Sequence, residues 1–198
     1  MKFTNLERLL PFGYLILVIL GIVKESVFYY FIGVNILKYS NLMDVLISPI
    51  SDLTSHPIVL GGFSFYVLLL YIYFIYISKN TDKKWVQKLL KTEDLSEKPT
   101  DEEIKIRLGN KFLSVTAFGV MTFFLGIGIG NGKKVSGAIN ANKIKYNHSI
   151  TFSSNKTKLV YLIGSNSANI FYVEKGNKNV KISPIGAVET IEFLKTKK

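Results

Sequence analysis

Two stretches of the chain run long without a charged side chain. Ile58–Ile77 is 20 uncharged residues, and Phe112–Ile129 is 18. At about 1.5 Å of rise per residue, a helix of the first length covers about 30 Å, the thickness of a bilayer's hydrocarbon core. Tyr71, Tyr73 and Tyr76 crowd the end of the first stretch, where an aromatic belt would meet headgroups. A third apolar run, Leu9–Val23, has 15 residues and follows Lys2 and Arg8. That arrangement is shared with secretory signal peptides, but no small-residue cleavage site follows. Apolar sequence resumes after Lys24-Glu25, so the pattern predicts a retained signal-anchor helix reaching about Tyr30.

Lys24 and Glu25 interrupt this first span. One reading places them at its far interface, with Lys24 snorkelling and Tyr29-Tyr30 among headgroups. A second makes them a buried pair at a helix–helix contact, where ionisable groups mark functional sites. A third lets Val27–Leu37 re-enter as a separate segment, although 11 residues cannot cross alone.

Between the spans the periodicity changes. Leu42, Val45, Leu46 and Ile50 recur at helical spacing, with Pro49 interrupting, which predicts an amphipathic segment along the membrane or capping the helices. In the loop 78–111, Trp85, Val86, Leu89 and Leu90 fall together, ringed by Lys83, Lys84, Lys88 and Lys91: an interfacial helix. The following stretch, TEDLSEKPTDEE, reads as a linker.

From Asn142 onward the apolar period shortens to two. KIKYNHSITF, KLVYLIG, ANIFYVE, NVKISPI and AVETIEF are five candidate strands, separated by SSNK, SNS and KGNKN. The expected fold is therefore an integral membrane α-helical bundle of three spans followed by a small all-β, SH3-like or Sm-like barrel. The divisions are 1–77 (two spans and an interfacial segment), 78–111 (amphipathic helix and charged linker), 112–130 (third span) and 131–198 (basic β domain).

Charge sharpens this picture. Of a net +11, residues 131–198 carry +9, from 12 lysines and three acids; the rest carries +2. Such asymmetry points to an anionic partner, nucleic acid or lipid headgroups, with a soluble Lys-rich surface as the alternative. Lys156, Lys158, Lys175, Lys178 and Lys181 alternate with Tyr161 and Tyr172. That mixture of phosphate-binding charge and base-stacking rings suits a single-stranded nucleic acid or nucleotide, but rings in a small barrel also form cores. Topology is contested. With the N-terminus inside, 11 basic residues lie inside and six outside, which places the β domain outside; a cytosolic nucleic-acid ligand requires the reverse.

GIGIGNGKK is not a phosphate loop, because five residues before Gly132 stands Ile127 and Lys134 occupies the Ser/Thr position. Gly126 and Gly130 instead make G-x-x-x-G at the end of the third span, and Gly128 and Gly132 repeat it. That spacing lets helix backbones approach, favouring a homo-oligomer. If the third span lines a pore, its wall is Ser114, Thr116, Thr122 and the glycines, with Phe123 and Phe124 as constrictions; otherwise the hydroxyls bond their own backbone. With no cysteine, two distant histidines (His56 and His148), no Ser/His/Asp set and no paired carboxylates, the chain offers no catalytic or metal site and no cofactor motif.

Several spans plus a compact basic ligand domain in about 200 residues is an architecture that resembles the small membrane effectors of bacterial antiphage signalling systems, such as the Hailong-type channel effectors. The resemblance implies a multi-pass protein of the bacterial inner membrane. It implies an oligomeric channel or pore-type effector, not an enzyme, whose permeability an anionic nucleotide or DNA oligomer controls. The competing expectation is a non-channel envelope sensor or accessory subunit whose tail binds protein or headgroups.

Overall fold

The computed structural model describes residues 4–90 and 100–194. Five helices precede five strands: α1 (Thr4–Phe31), α2 (Leu42–Ser55), α3 (Pro57–Ser78), α4 (Lys84–Leu90), α5 (Asp101–Asn140), β1 (His148–Phe152), β2 (Thr157–Ser165), β3 (Asn169–Glu174), β4 (Val180–Pro184) and β5 (Val188–Phe193). Three of the helices, α1, α3 and α5, are long and apolar enough to cross a membrane.

Each boundary has a local cause. α1 closes with Gly33 in the left-handed region (φ 79°): the Gly33 amide donates to Tyr30 O and that of Val34 to Tyr29 O. This Schellman geometry satisfies the last carbonyls. α5 ends the same way, with Asn142 at φ 54° and the Lys143 amide on Ala138 O. Reciprocal caps start two helices. Asn41 and Asp44 exchange backbone-to-side-chain bonds of 3.0 and 2.8 Å ahead of α2, and Thr100 and Glu103 do so at 2.9 and 3.3 Å ahead of α5. α3 opens on Pro57, where the missing N–H is no loss.

Several expectations change. Val27–Leu37 is no separate segment: its first five residues complete α1, and Gly33 then turns the chain. α2 runs through Pro49 without breaking. α5 begins at Asp101, inside the expected linker, and continues to Asn140, past both ends of the uncharged run. Lys91 and the polar stretch 92–99 lie outside the described residues.

The chain divides into two compact units, 52–123 and 1–51 with 124–198. In the first, α3, α4 and the start of α5 share a core of Ile77, Val86, Leu90 and Leu108. Farther along, the Phe74 and Phe112 rings lie 4.6 Å apart and Phe63 and Phe123 5.4 Å apart.

The second unit holds the sheet. Its order is β4-β3-β2-β1-β5, with every pairing antiparallel. Five strands are present as the alternation predicts, but the sheet is open and the expected closed barrel is not formed: β4 pairs with β3 and β5 with β1. The first expected strand is shortened, since pairing begins only at His148. Successive side chains point to opposite faces. One face gathers Ile150, Val160, Ile170 and Tyr172; the other presents Phe171 to Tyr29 of α1 and to Ile36. Four consecutive residues of β3 are buried as a result, which is why IFYV reads as an unbroken apolar run.

Candidate functional site

One charged side chain is buried among the described residues. Lys24, only 8% exposed, lies on α1 within the apolar span. Its ammonium donates to Glu25 Oε1 at 2.6 Å and to Ser48 Oγ of α2 at 2.9 Å, and the Ser48 hydroxyl in turn donates to Glu25 Oε1. The three side chains form a polar cluster where two helices meet. Of the readings open from the sequence, the buried pair at a helix–helix contact is the one observed, and both helices belong to one chain.

Glycine makes the contact close enough. A Cβ on Gly21 would collide with the Val45 carbonyl of α2. On another side of α1, Cβ atoms on Gly128 and Gly132 of α5 would lie 2.7 Å from Lys24 O and 2.9 Å from Phe28 O. Gly126 and Gly130 have nothing within 4 Å. The close approach inside the chain thus uses the second of the two overlapping glycine registers.

One helical turn from the cluster, both helices hold the sheet. Tyr29, four residues after Glu25, stacks obliquely on Phe171 with centroids 5.0 Å apart. Its hydroxyl lies 2.9 Å from where Gly164 would carry a Cβ. Gly164 follows a register shift in β2, a bulge that opens room for the ring. Asp44, four residues before Ser48, accepts the Ser167 amide and hydroxyl, each at 3.0 Å. Asn41 donates to the Ser167 hydroxyl at 2.7 Å, and the Asn166 and Asn169 amides reach Tyr39 O at 2.9 and 3.1 Å. The β2–β3 turn is thereby clasped to the start of α2. Sequence reasoning missed Asp44, Ser48 and Ser167. The N-x-x-D spacing of Asn41 and Asp44 marks the cap, but partners more than 100 residues apart leave no local signal.

The seven expected ligand residues do not share one surface. Tyr172 is in the core, its hydroxyl 3.2 Å from Ser183 Oγ, and Tyr161 points to the opposite face. Glu174 on β3 sits between Lys158 on β2, at 3.2 Å, and Lys181 on β4. The bond from Lys181, then that from Lys158, holds the Glu174 carboxyl below its ordinary value, and Glu174 raises Lys181 in return. Lys178 donates to Asn140 O at 2.9 Å, at the carbonyl-rich end of α5. It lines a cleft of about 400 Å³ with Gly33, Ser136 and Asn179. Two helix C-termini border that cleft, so its field favours a cation, and Lys178 supplies one. Lys156 and Lys175 are exposed. His148, beside Phe193, is shifted down by burial.

The expected pore residues are dispersed. Ser114 and Thr122 are exposed and bond backward to Asn110 O and Gly119 O, both at 2.9 Å. Thr116 Oγ1 is buried, and so is the Phe124 side chain. Phe123 is held between Phe63 and Tyr66. No group of metal-ligating side chains occurs among the described residues.

No protein-family model matches the chain, and neither the curated proteins nor the solved structures contain a significant match to it.

Proposed function

We propose that this protein is a membrane-embedded effector in which a basic sheet receives an anionic ligand and α1 and α2 carry the event to a polar cluster inside the membrane. The output is a change in permeability through an oligomer of the chain. The observation that carries this reading is the double attachment of α1 and α2. Each holds the sheet at one residue, Tyr29 or Asp44, and the Lys24–Glu25–Ser48 cluster one turn away. A displaced β2–β3 turn therefore pulls on the cluster through about 6 Å of helix. Buried charge at a helix contact is costly unless fully paired, so the cluster suits an element with two arrangements. The resemblance to antiphage membrane effectors suggests the permeability output and a role in defence. Lys156 and Lys175, with the Lys158–Glu174–Lys181 group, are the anion-receiving surface in this reading.

A second reading, a non-channel sensor in the bacterial inner membrane, draws support from burial of Tyr172, which removes one of the two stacking rings. Flux separates the two. Protein in dye-loaded liposomes is treated with single-stranded DNA oligomers. Oligomer-dependent release, lost in Lys156→Glu/Lys175→Glu, is expected of the effector. Absence of release together with absence of oligomer binding leaves only the sensor.

A further inference from the structure

The 52–123 unit carries a second charged surface. α4 is seven residues long and turns Val86 and Leu90 inward, against Ile77 of α3 and Leu108 of α5. Its other side is basic: Lys83, Lys84 and Lys88 are exposed, with Lys79 just after α3. Trp85 is 43% exposed and stacks on Tyr76 with centroids 6.1 Å apart, while Lys83 Nζ lies 5.5 Å over the same Tyr76 ring. An exposed Trp–Tyr stack beside lysines, at the end of a 22-residue apolar helix, is the chemistry of a membrane interface.

Next to it, α3 and α5 enclose an apolar groove lined by Leu70, Phe74, Ile77, Phe112 and Val115. Lys111 is the one charged residue on its wall among the described residues. An apolar trough with one cation on its wall, beside a helix that carries further exposed lysines, has the two-part character of a phospholipid: a chain and a phosphate.

We propose that this surface is a binding site for an anionic phospholipid, with an acyl chain along the α3–α5 groove and the headgroup phosphate between Lys111 and the α4 lysines. The proposal rests on the membrane reading above. Uncharged lipid offers the same chains but no net negative charge, so the lysines discriminate between the two. Asp82 adjoins Lys83 and opposes the attraction there.

Trp85 is the single tryptophan of the chain, so its fluorescence reports α4 directly. The full chain is placed in nanodiscs containing phosphatidylcholine and phosphatidylglycerol at equal mole fraction, with bromine on the acyl chains of one lipid or the other. The expected result is at least about twofold stronger quenching of Trp85 by brominated phosphatidylglycerol, with the preference gone in Lys83→Gln/Lys84→Gln/Lys88→Gln. If that variant does not insert, raising the salt to about 1 M, where screening acts within about 3 Å, must shrink the preference in the natural chain. Equal quenching by both brominated lipids overturns the lipid site and leaves the membrane reading intact. Quenching by neither overturns both.

Discussion

Asp44 and Ser48 stand one turn apart on α2 and grip different parts of the molecule. Asp44 accepts two hydrogen bonds from Ser167 in the β2–β3 turn, and Ser48 lies between Lys24 and Glu25 of α1. A 14-residue helix thus connects the β2–β3 turn to a charge pair within an apolar span. The following outcomes are expected from that arrangement.

Removing one member of the buried pair leaves the other uncompensated. Lys24→Met should destabilise the protein by about 3–5 kcal/mol, whereas Lys24→Met/Glu25→Met should recover most of that loss, because only the uncharged Ser48 hydroxyl then loses its partners in the cluster. Thermal unfolding in detergent compares them. A double variant as unstable as the single one would show that the cluster is not a self-contained pair.

The two glycine registers on α5 should separate cleanly. Gly128→Ala pushes a methyl group onto the Lys24 carbonyl and Gly132→Ala onto that of Phe28, so each should cost about 1–3 kcal/mol. Gly126→Ala and Gly130→Ala meet open space and should not lower the unfolding temperature. The four single variants, melted side by side, test the helix contact directly.

The clasp should be visible in amide exchange. Asp44→Ala takes the acceptor from the Ser167 amide, a loss of about 1–3 kcal/mol for a charge-assisted bond. Hydrogen–deuterium exchange at Ser167 should accelerate, while the central strand β3 keeps its protection. Unchanged exchange at Ser167 would show that the turn does not depend on Asp44.

Glu174 gives the sheet a pH dependence of known sign. Its carboxyl titrates below the ordinary glutamate value of 4.5, first because of Lys181 and then because of Lys158. The stabilisation is therefore fully present above about pH 4.5 and is lost as the pH falls through the lowered value. Glu174→Gln should unfold more easily than the natural protein at neutral pH and show a flatter stability profile in that acid range. Parallel profiles for the two proteins would contradict the assignment.

Much of this is legible in the sequence. Apolar runs of 18 and 20 residues identify α5 and α3, because nothing soluble requires so long an uncharged helix, and period-two alternation identifies five strands. Closure of the sheet was not legible, since strand pairing depends on contacts remote in sequence, and the short apolar runs fit an open sheet as well as a barrel. Lys24-Glu25 was recognisable as a site, with a buried pair at a helix–helix contact as one of three readings that the sequence left open. Its third member, Ser48, comes from α2, and the opening for it depends on Gly21 meeting Val45. The overlapping glycine registers look alike in sequence, and only the position of α1 distinguishes Gly128 from Gly126. For the lysines the obstacle was pairing: register brings Lys158, Glu174 and Lys181 together across three strands.

The central claim is that the sheet and the Lys24–Glu25–Ser48 cluster are one coupled element. A double-mutant cycle on Ser48→Ala and Ser167→Ala, read by unfolding in detergent, tests it most directly. The two hydroxyls do not bond each other, so independent sites would add to within about 0.5 kcal/mol. Coupling through α2 predicts a larger departure from additivity; strict additivity would contradict the account.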